Sequence, residues 1–368
     1  MKKKYQVIYE DIRNKIAEKR YQEGDFLPSE TEIAEEFGTS RPTVARAFDK
    51  LRNEKLIQSR AGYGTVVLQS ELTDGKKIGL LIPQFGRAEI FEPICSTIRE
   101  ESVKHCWQVH LPSDLLDPKD IKKTTGLLCA SFIRERFDGV FFSPPNRIPD
   151  NVNFNLNILD QFKKAGIAVV LLDRDILNWP NQTSCDLVGV DNMQAGMAVT
   201  RHLIEQGCEN IVFAKHKNST GMIDIRIIGA REAIRQANLP PETLRVVKIS
   251  SKRELLDIIK HMPDGLICAN DEMAADLMRK LLDAGIRIPE TLKVAGFDDV
   301  KYAGLLSVPL TTYRQPCAEI GRTAVNTMLN RLANPGFAPV RVNLMGEMVV
   351  RSSSTFNFKM TKRLVKSE

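Results

Sequence analysis

Two rhythms of apolar residues run along this chain. Between residues 29 and 51 the spacing is helical: Ile33, Ala34 and Phe37 follow Ser29, and then Val44, Ala47, Phe48 and Leu51 stand at i, i+3, i+4 and i+7. From residue 77 onward short apolar runs (78–83, 107–111, 138–143, 168–173, 187–190, 210–214, 245–249, 265–269 and 293–297) alternate with stretches of helical character. The first rhythm predicts a pair of short helices. The second predicts parallel sheets covered by helices on both faces.

Local signals refine the helix pair. Ser29 with Glu32 three residues later is a capping box, and Gly38 stops the helix that it starts. Thr39 or Ser40 caps the next helix, with Pro42 in the first turn, where a missing N–H costs nothing. If Val44, Ala47, Phe48 and Leu51 are buried, then Pro42, Arg46, Asp49 and Asn53 point away from the core, and Arg41 lies on the first turn. Beyond them Leu56, Ile57, Arg60 and Gly62-Tyr63-Gly64 leading into Thr65-Val66-Val67 read as a β-hairpin wing.

Charge is placed unevenly over this region. Residues 10–36 carry nine acids and four bases, whereas residues 41–64 carry six bases (Arg41, Arg46, Lys50, Arg52, Lys55, Arg60) and two acids (Asp49, Glu54). The basic side is the second helix and wing, as binding to phosphates requires. The plain alternative for any basic helix pair is a solvated helical hairpin.

The wording is more specific than that alternative. LPSETEIAEEFGTSRPTV, followed by LRNEKLI and a G-x-G-T wing, resembles the winged helix-turn-helix of the GntR family of bacterial transcription regulators over roughly residues 5–67. The resemblance implies DNA contacts from Arg41, Thr43, Gly62 and Gly64, to which the charge pattern adds Arg46, Lys50 and Arg60. Two positions depart from the family pattern: Ala45, followed by Arg46, stands where many members have arginine, and Thr31 stands where some do. The operator half-site therefore does not transfer, because readout depends on which side chain meets which base edge.

Residues 68–76 are polar and unpatterned and are expected to link a DNA-binding domain (1–67) to a sensing domain (77–357), with a basic tail at 358–368. Nine strands exceed one comfortable sheet, and the long break at 177–186 lies near their middle, so two α/β lobes around a cleft are expected. In open α/β sheets ligands bind beyond the carboxyl ends of the strands. The residues there are polar: Gln84, Asp173 with Arg174, Asp191 with Asn192, Asn270 with Asp271, and Asp298 with Asp299. Paired acceptors and donors of this kind suit a polyol; as an alternative, each Asp or Asn is a helix cap at a strand–helix turn. Phe85, Phe91, Trp179, Phe297 and Tyr313 are available to cover a sugar ring, or else to pack the core.

VGVDNMQAGMAVTRHLIEQGCENIVF, then Arg226 ahead of IIGAREAI, then DGLICANDEMAADLMRKLLDAGIRIPETLKVAGFDD resembles the effector domain of LacI/GalR repressors, relatives of type I periplasmic sugar-binding proteins. The resemblance covers about residues 77–355 and implies ligand contacts from Asp173, Arg226, Asn270, Asp298 and Gln315. Phe85, Glu89 and Phe91 are weaker candidates from the first lobe. The LacI head and hinge helix are absent, and a GntR-type head followed by this sensor resembles repressors of AraR type. The fold expected is thus α/β, a small winged helix-turn-helix domain plus a two-lobed sensor.

Composition agrees with a globular regulator. Of 368 residues, 43% are hydrophobic and 27% charged, and a net charge of +6 leaves nucleic-acid affinity to local placement. The start has no apolar signal region and no stretch of 18 apolar residues occurs, so neither export nor a membrane span is expected. Seven cysteines without a C-x-x-C pair fit a reducing cytoplasm, and the five histidines show no metal spacing. The reading is a homodimeric repressor that binds operator DNA, is released by a small sugar and needs no cofactor or metal. A purine or other metabolite as effector is the alternative. An enzyme would call for a G-x-G-x-x-G between strand and helix, and Gly62-Tyr63-Gly64 leads into a strand instead; a transport protein would call for an export signal.

Overall fold

The computed structural model describes residues 4–17, 20–22, 24–54, 56–60, 64–68, 75–83, 85, 89–111, 120–146, 148–217, 219, 221–249, 258 and 260–355. Two compact units divide the chain, residues 1–77 and 78–368.

The first unit contains α1 (Lys4–Ala17), β1 (Phe26–Leu27), α2 (Glu30–Glu36), α3 (Arg41–Asn53), β2 (Ile57–Arg60) and β3 (Gly64–Val67). The capping box forms: Ser29 N donates to Glu32 Oε2 at 2.7 Å, and Glu32 N donates to Ser29 Oγ at 3.3 Å. Gly38 turns the chain at φ +53°, a left-handed conformation that favours glycine. Ser40 occupies the cap of α3, but its hydroxyl pairs with Thr43 Oγ1 at 2.9 Å instead of capping the backbone. The stripe of Val44, Ala47, Phe48 and Leu51 is buried, and it shares a core with Ile8, Ile12 and Ile16 of α1, a helix that the sequence reading had not assigned. Strands β2 and β3 pair antiparallel from Ile57↔Val67 to Arg60↔Gly64, and β1 joins the far edge of β3. The Gly62-Tyr63 turn lies outside the described residues, as do the Arg60 side chain and the basic tail.

The second unit continues with β4 (Lys77–Leu81), α4 (Phe91–Val103), β5 (Gln108–His110), α5 (Ile121–Arg134), β6 (Gly139–Phe142), α6 (Asn151–Lys164), β7 (Ala168–Leu172), β8 (Asp186–Val190), α7 (Asn192–Glu205), β9 (Ile211–His216), α8 (Gly221–Gln236), β10 (Leu244–Ile249), β11 (Gly265–Cys268), α9 (Asp271–Asp283), β12 (Lys293–Asp298), β13 (Thr311–Arg314), α10 (Cys317–Ala333), β14 (Arg341–Leu344) and β15 (Glu347–Val349). One sheet has the order β14-β8-β7-β6-β4-β5, the other β10-β9-β11-β12-β13-β15. In the first, alternate residues face opposite layers: Leu80, Phe141 and Val170 enter the core that holds α4 and α10, and Leu81, Phe142 and Leu171 enter the one that holds α5 and α6. Burial on both faces is why these strands read as unbroken apolar runs.

The break at 177–186 does not separate the lobes. Strand β8 lies parallel to β7 in the first sheet, with Leu171 opposite Leu187, so the chain crosses only after Val190. It returns after Arg314, since α10 packs into the first lobe's core through Ile320, Ala324 and Met328, and it crosses a third time between β14 and β15. The three crossovers are bonded together: Asp191 N donates to Leu344 O at 2.8 Å, and Arg314 Nη1 bonds Glu347 Oε1 at 2.7 Å.

Candidate functional site

On the winged unit the basic residues of α3 fall into two kinds. Arg41 extends into solvent but pairs with Glu30 of α2, Nε to Oε2 at 3.2 Å. Arg52 is tied down by Asp49 and by Ser59 of the wing, both at 2.7 Å. Arg46 and Lys50 instead lie over the rings of Tyr5 and Tyr9 on α1, at 4.5 Å and 3.7 Å from the centroids. Thr43 is half-buried, with its hydroxyl on Ser40. Gly64 opens β3 at φ +107°, a conformation that glycine alone adopts readily.

In the second unit the crossovers and strand ends converge. Arg226 of α8 is fully buried, donating from Nε to Asn192 Oδ1 at 2.8 Å and from Nη1 to Ala269 O at 2.7 Å. Its guanidinium lies 4.4 Å over the Phe297 ring, leaving Nη2 3.9 Å from Asp298 Oδ1. Asp298 accepts from Gln315 Nε2 at 2.7 Å. Asp173 pairs with Arg174 through its Oδ2, both being buried at the end of β7.

Strain and unmet bonding mark the same cluster. Asp173, Asp298 and Asp299 sit at φ +70°, +114° and +52°, where side chains are disfavoured, and such strain collects at ligand sites. Among the described residues, Asp173 Oδ1 and Gln315 Oε1 are buried acceptors with no hydrogen-bond partner. Burial pushes the Asp298 carboxyl up to about 6, with the negative charge of Asp173 adding to the rise and Arg226 and Gln315 opposing it. Burial and Asp298 also raise Asp271, although Thr312 Oγ1 at 2.7 Å and Val300 N at 3.2 Å donate to it.

Two cavities open beside the cluster. One, of 420 Å³, is bounded by Glu89, Ile90 and Thr97 of the first lobe, by Asp298 and Lys301 of the second, and by Cys317 at the crossover. It is spanned by Lys301, whose backbone N donates to Glu89 Oε2 and whose Nζ donates to Glu92 Oε2, both at 2.8 Å. The other, of 330 Å³, includes Asp173, Arg174, Trp179, Asn192 and Asn343.

Of the residues expected at the ligand, Asp173, Arg226, Asp298 and Gln315 come together. Asn270 is at the right strand end, but its Oδ1 caps α9 by accepting from Met273 N at 3.1 Å, the alternative left open for such residues. Phe85 is half-buried against the first lobe's core. Phe91 does not reach the cleft: it is 0% exposed and packs in that core, since it opens α4 on the face turned to the sheet. Thr312, Lys301 and Cys317 were missed. Their signals were the run TTYRQPC, whose strand was not recognised, and the segment after GFDD.

Both units have counterparts among known proteins. Residues 4–67 match the gntR family of bacterial regulatory proteins, and residues 200–354 match the periplasmic binding protein-like domain. The chain is 28% identical over 350 residues to an arabinose metabolism transcriptional repressor of Halalkalibacterium halodurans, covering 90% of this chain and 89% of the relative. It is 24% identical over 342 residues to the HTH-type transcriptional repressor PurR of Haemophilus influenzae, covering 88% and 97%. A LacI family transcriptional regulator from Enterococcus faecium with bound ribose superposes with a TM-score of 0.60 at 24% identity, over 76% of this chain and 99% of that one.

Proposed function

We infer that this chain, which joins a GntR-family DNA-binding domain to a periplasmic-binding-protein-like sensor, is a transcription repressor that a small sugar releases from operator DNA. The observation that carries the sugar is the pair of buried, unpartnered acceptors, Asp173 Oδ1 and Gln315 Oε1, in the same cluster as the Arg226 guanidinium. Hydroxyl groups donate to the first two and accept from the third, so a polyol meets all three at once. Relatives along nearly the whole chain are repressors, one of them of arabinose metabolism, and a sensor of this fold holds ribose.

Release is a coupling between two binding equilibria. A sugar that bonds Asp173 from one lobe, Arg226 and Asp298 from the other and Gln315 on the crossover favours one arrangement of the lobes. If that arrangement spaces two recognition helices wrongly for their half-sites, sugar and operator weaken each other equally. A dimer is part of this reading. Leu305, 84% exposed, precedes Leu306, which with Met278, Leu282, Asp276, Arg279 and Asp283 lines a surface groove of 490 Å³, and a second copy is its proposed occupant because two-fold operators are read by two-fold dimers. In sedimentation, Leu305→Glu should shift the protein to monomer.

Thermal-shift screening against pentoses, hexoses, disaccharides, nucleobases and nucleotides tests the effector class. Stabilisation by one sugar class supports the reading; stabilisation by a purine alone overturns it. A gel shift on the DNA upstream of the protein's own coding sequence should then show binding that this sugar removes.

A further inference from the structure

We propose that Tyr5 and Tyr9 of α1 are positioning residues for DNA binding, holding Arg46 and Lys50 of α3 in place before the duplex arrives. The inference rests on the reading of α3 as the DNA-binding helix.

Tyr5 and Tyr9 are one turn apart on α1, as Arg46 and Lys50 are on α3, and the two helices share one core. The Arg46 guanidinium carbon lies 4.5 Å from the Tyr5 centroid and Lys50 Nζ 3.7 Å from that of Tyr9. Tyr9 is itself fixed, being buried and donating from its hydroxyl to Glu54 Oε1 at 2.6 Å.

A ring face holds a cation differently from a carboxylate. Glu30 and Asp49 lessen the charge that Arg41 and Arg52 present, whereas the tyrosine rings neutralise nothing. Among the described residues Arg46 and Lys50 have no carboxylate partner, so on α3 they keep their full charge for phosphate. A guanidinium over a ring also keeps its N–H donors for other acceptors. An exposed arginine normally loses rotamer freedom when DNA fixes it; one already stacked has lost much of it, and binding is tighter for that reason.

The test is fluorescence anisotropy of the full-length protein on a labelled duplex covering the genomic DNA immediately upstream of its own coding sequence, with a scrambled duplex as control. Tyr5→Leu should weaken binding about threefold, the order of the cost of immobilising one long side chain at an interface, and Tyr5→Phe, which keeps the ring face, should match the parent. In an Arg46→Ala background Tyr5→Leu should cost nothing more, a readout that a merely structural role for Tyr5 would not give. Should Tyr5→Leu melt the winged unit, pentafluorophenylalanine at position 5 keeps the ring's shape while reversing its quadrupole, and should weaken binding as leucine does.

The proposal is overturned if Tyr5→Leu costs as much with Arg46 removed as with it present, or if the fluorinated ring binds like the parent. An Arg46→Ala variant that binds like the parent removes Arg46 from the interface, and Tyr5's role with it. Failure of every duplex to bind would instead sink the DNA-binding reading itself.

Discussion

Gln315 donates from Nε2 to Asp298 Oδ1 at 2.7 Å, so the second crossover between the lobes is hydrogen-bonded to the carboxylate at the end of β12. A ligand that engages Asp298 is therefore one bond away from the segment about which the lobes would turn. Gln315→Leu removes both this donor and the unpartnered Oε1. A hydrogen bond between a hydroxyl and a neutral amide oxygen contributes about 0.5–1.5 kcal/mol. The variant should thus bind the effector roughly two- to tenfold more weakly in calorimetry, while operator affinity without effector is unchanged. Unaltered effector affinity would remove Gln315 from the site.

Acidity should act on the effector through Asp298. Its carboxyl is pushed up to about 6, above its ordinary value of 3.8, mainly by burial. For a carboxyl raised in the folded state, the stability contribution is complete below 3.8 and is lost as pH rises through about 6. Hydroxyls donate to the charged carboxylate, so sugar affinity should run the other way, falling as pH drops from about 7 to about 5. Calorimetric titration across that range checks it. In Asp298→Asn the slope should flatten, since Asp271, the other carboxyl raised among the described residues, points inward to Thr312 and Val300.

How much of this was legible beforehand follows from how local each signal was. The capping box and the α3 stripe involve residues within one or two helical turns, and both formed as their spacing required. Strands β13, β14 and β15 went unread because they are short and their pairing is remote: Arg341 lies opposite Leu187 and Thr312 opposite Val349. The lobe boundary was misplaced for the same reason, since a long polar loop such as 177–186 marks a lobe boundary only if the next strand changes sheets. Among the ligand candidates, Arg226, Asp298 and Gln315, named by motif, fall into one cluster, but no spacing rule separates an aromatic beside the cleft from one beneath it, and Phe91 lies beneath.

On the winged unit, Glu30 holds Arg41 by a single exposed contact at 3.2 Å. Such a pair adds little stability, at most about 1 kcal/mol, but on the proposed reading its carboxylate offsets a charge that would face DNA. Glu30→Gln should lower the melting temperature of the winged unit by at most about 4–8 °C and tighten operator binding severalfold at low salt, with the gain shrinking as salt rises. Anisotropy over a salt series measures both. Equal affinity at all salt concentrations would show that Arg41 lies off the interface.

Burial lowers the proton affinity of the Arg226 guanidinium, and the several acids that it faces, Asp298, Asp173 and Asp271, all raise it. Replacing Arg226 with methionine fills a similar volume but leaves these carboxylates without the positive charge. Removing one member of a buried charge group costs about 3–5 kcal/mol, because what remains is an uncompensated charge. For a domain of this size that corresponds to roughly 10 °C in the sensor's melting temperature. Neutralising the nearest acid should recover part of the loss, so Arg226→Met with Asp298→Asn should melt above Arg226→Met alone. Calorimetry on the two variants decides the matter: if the second substitution lowers the melting temperature further, Arg226 stabilises the sensor through its packing on Phe297 and its bonds to Asn192 and Ala269, and not through its charge.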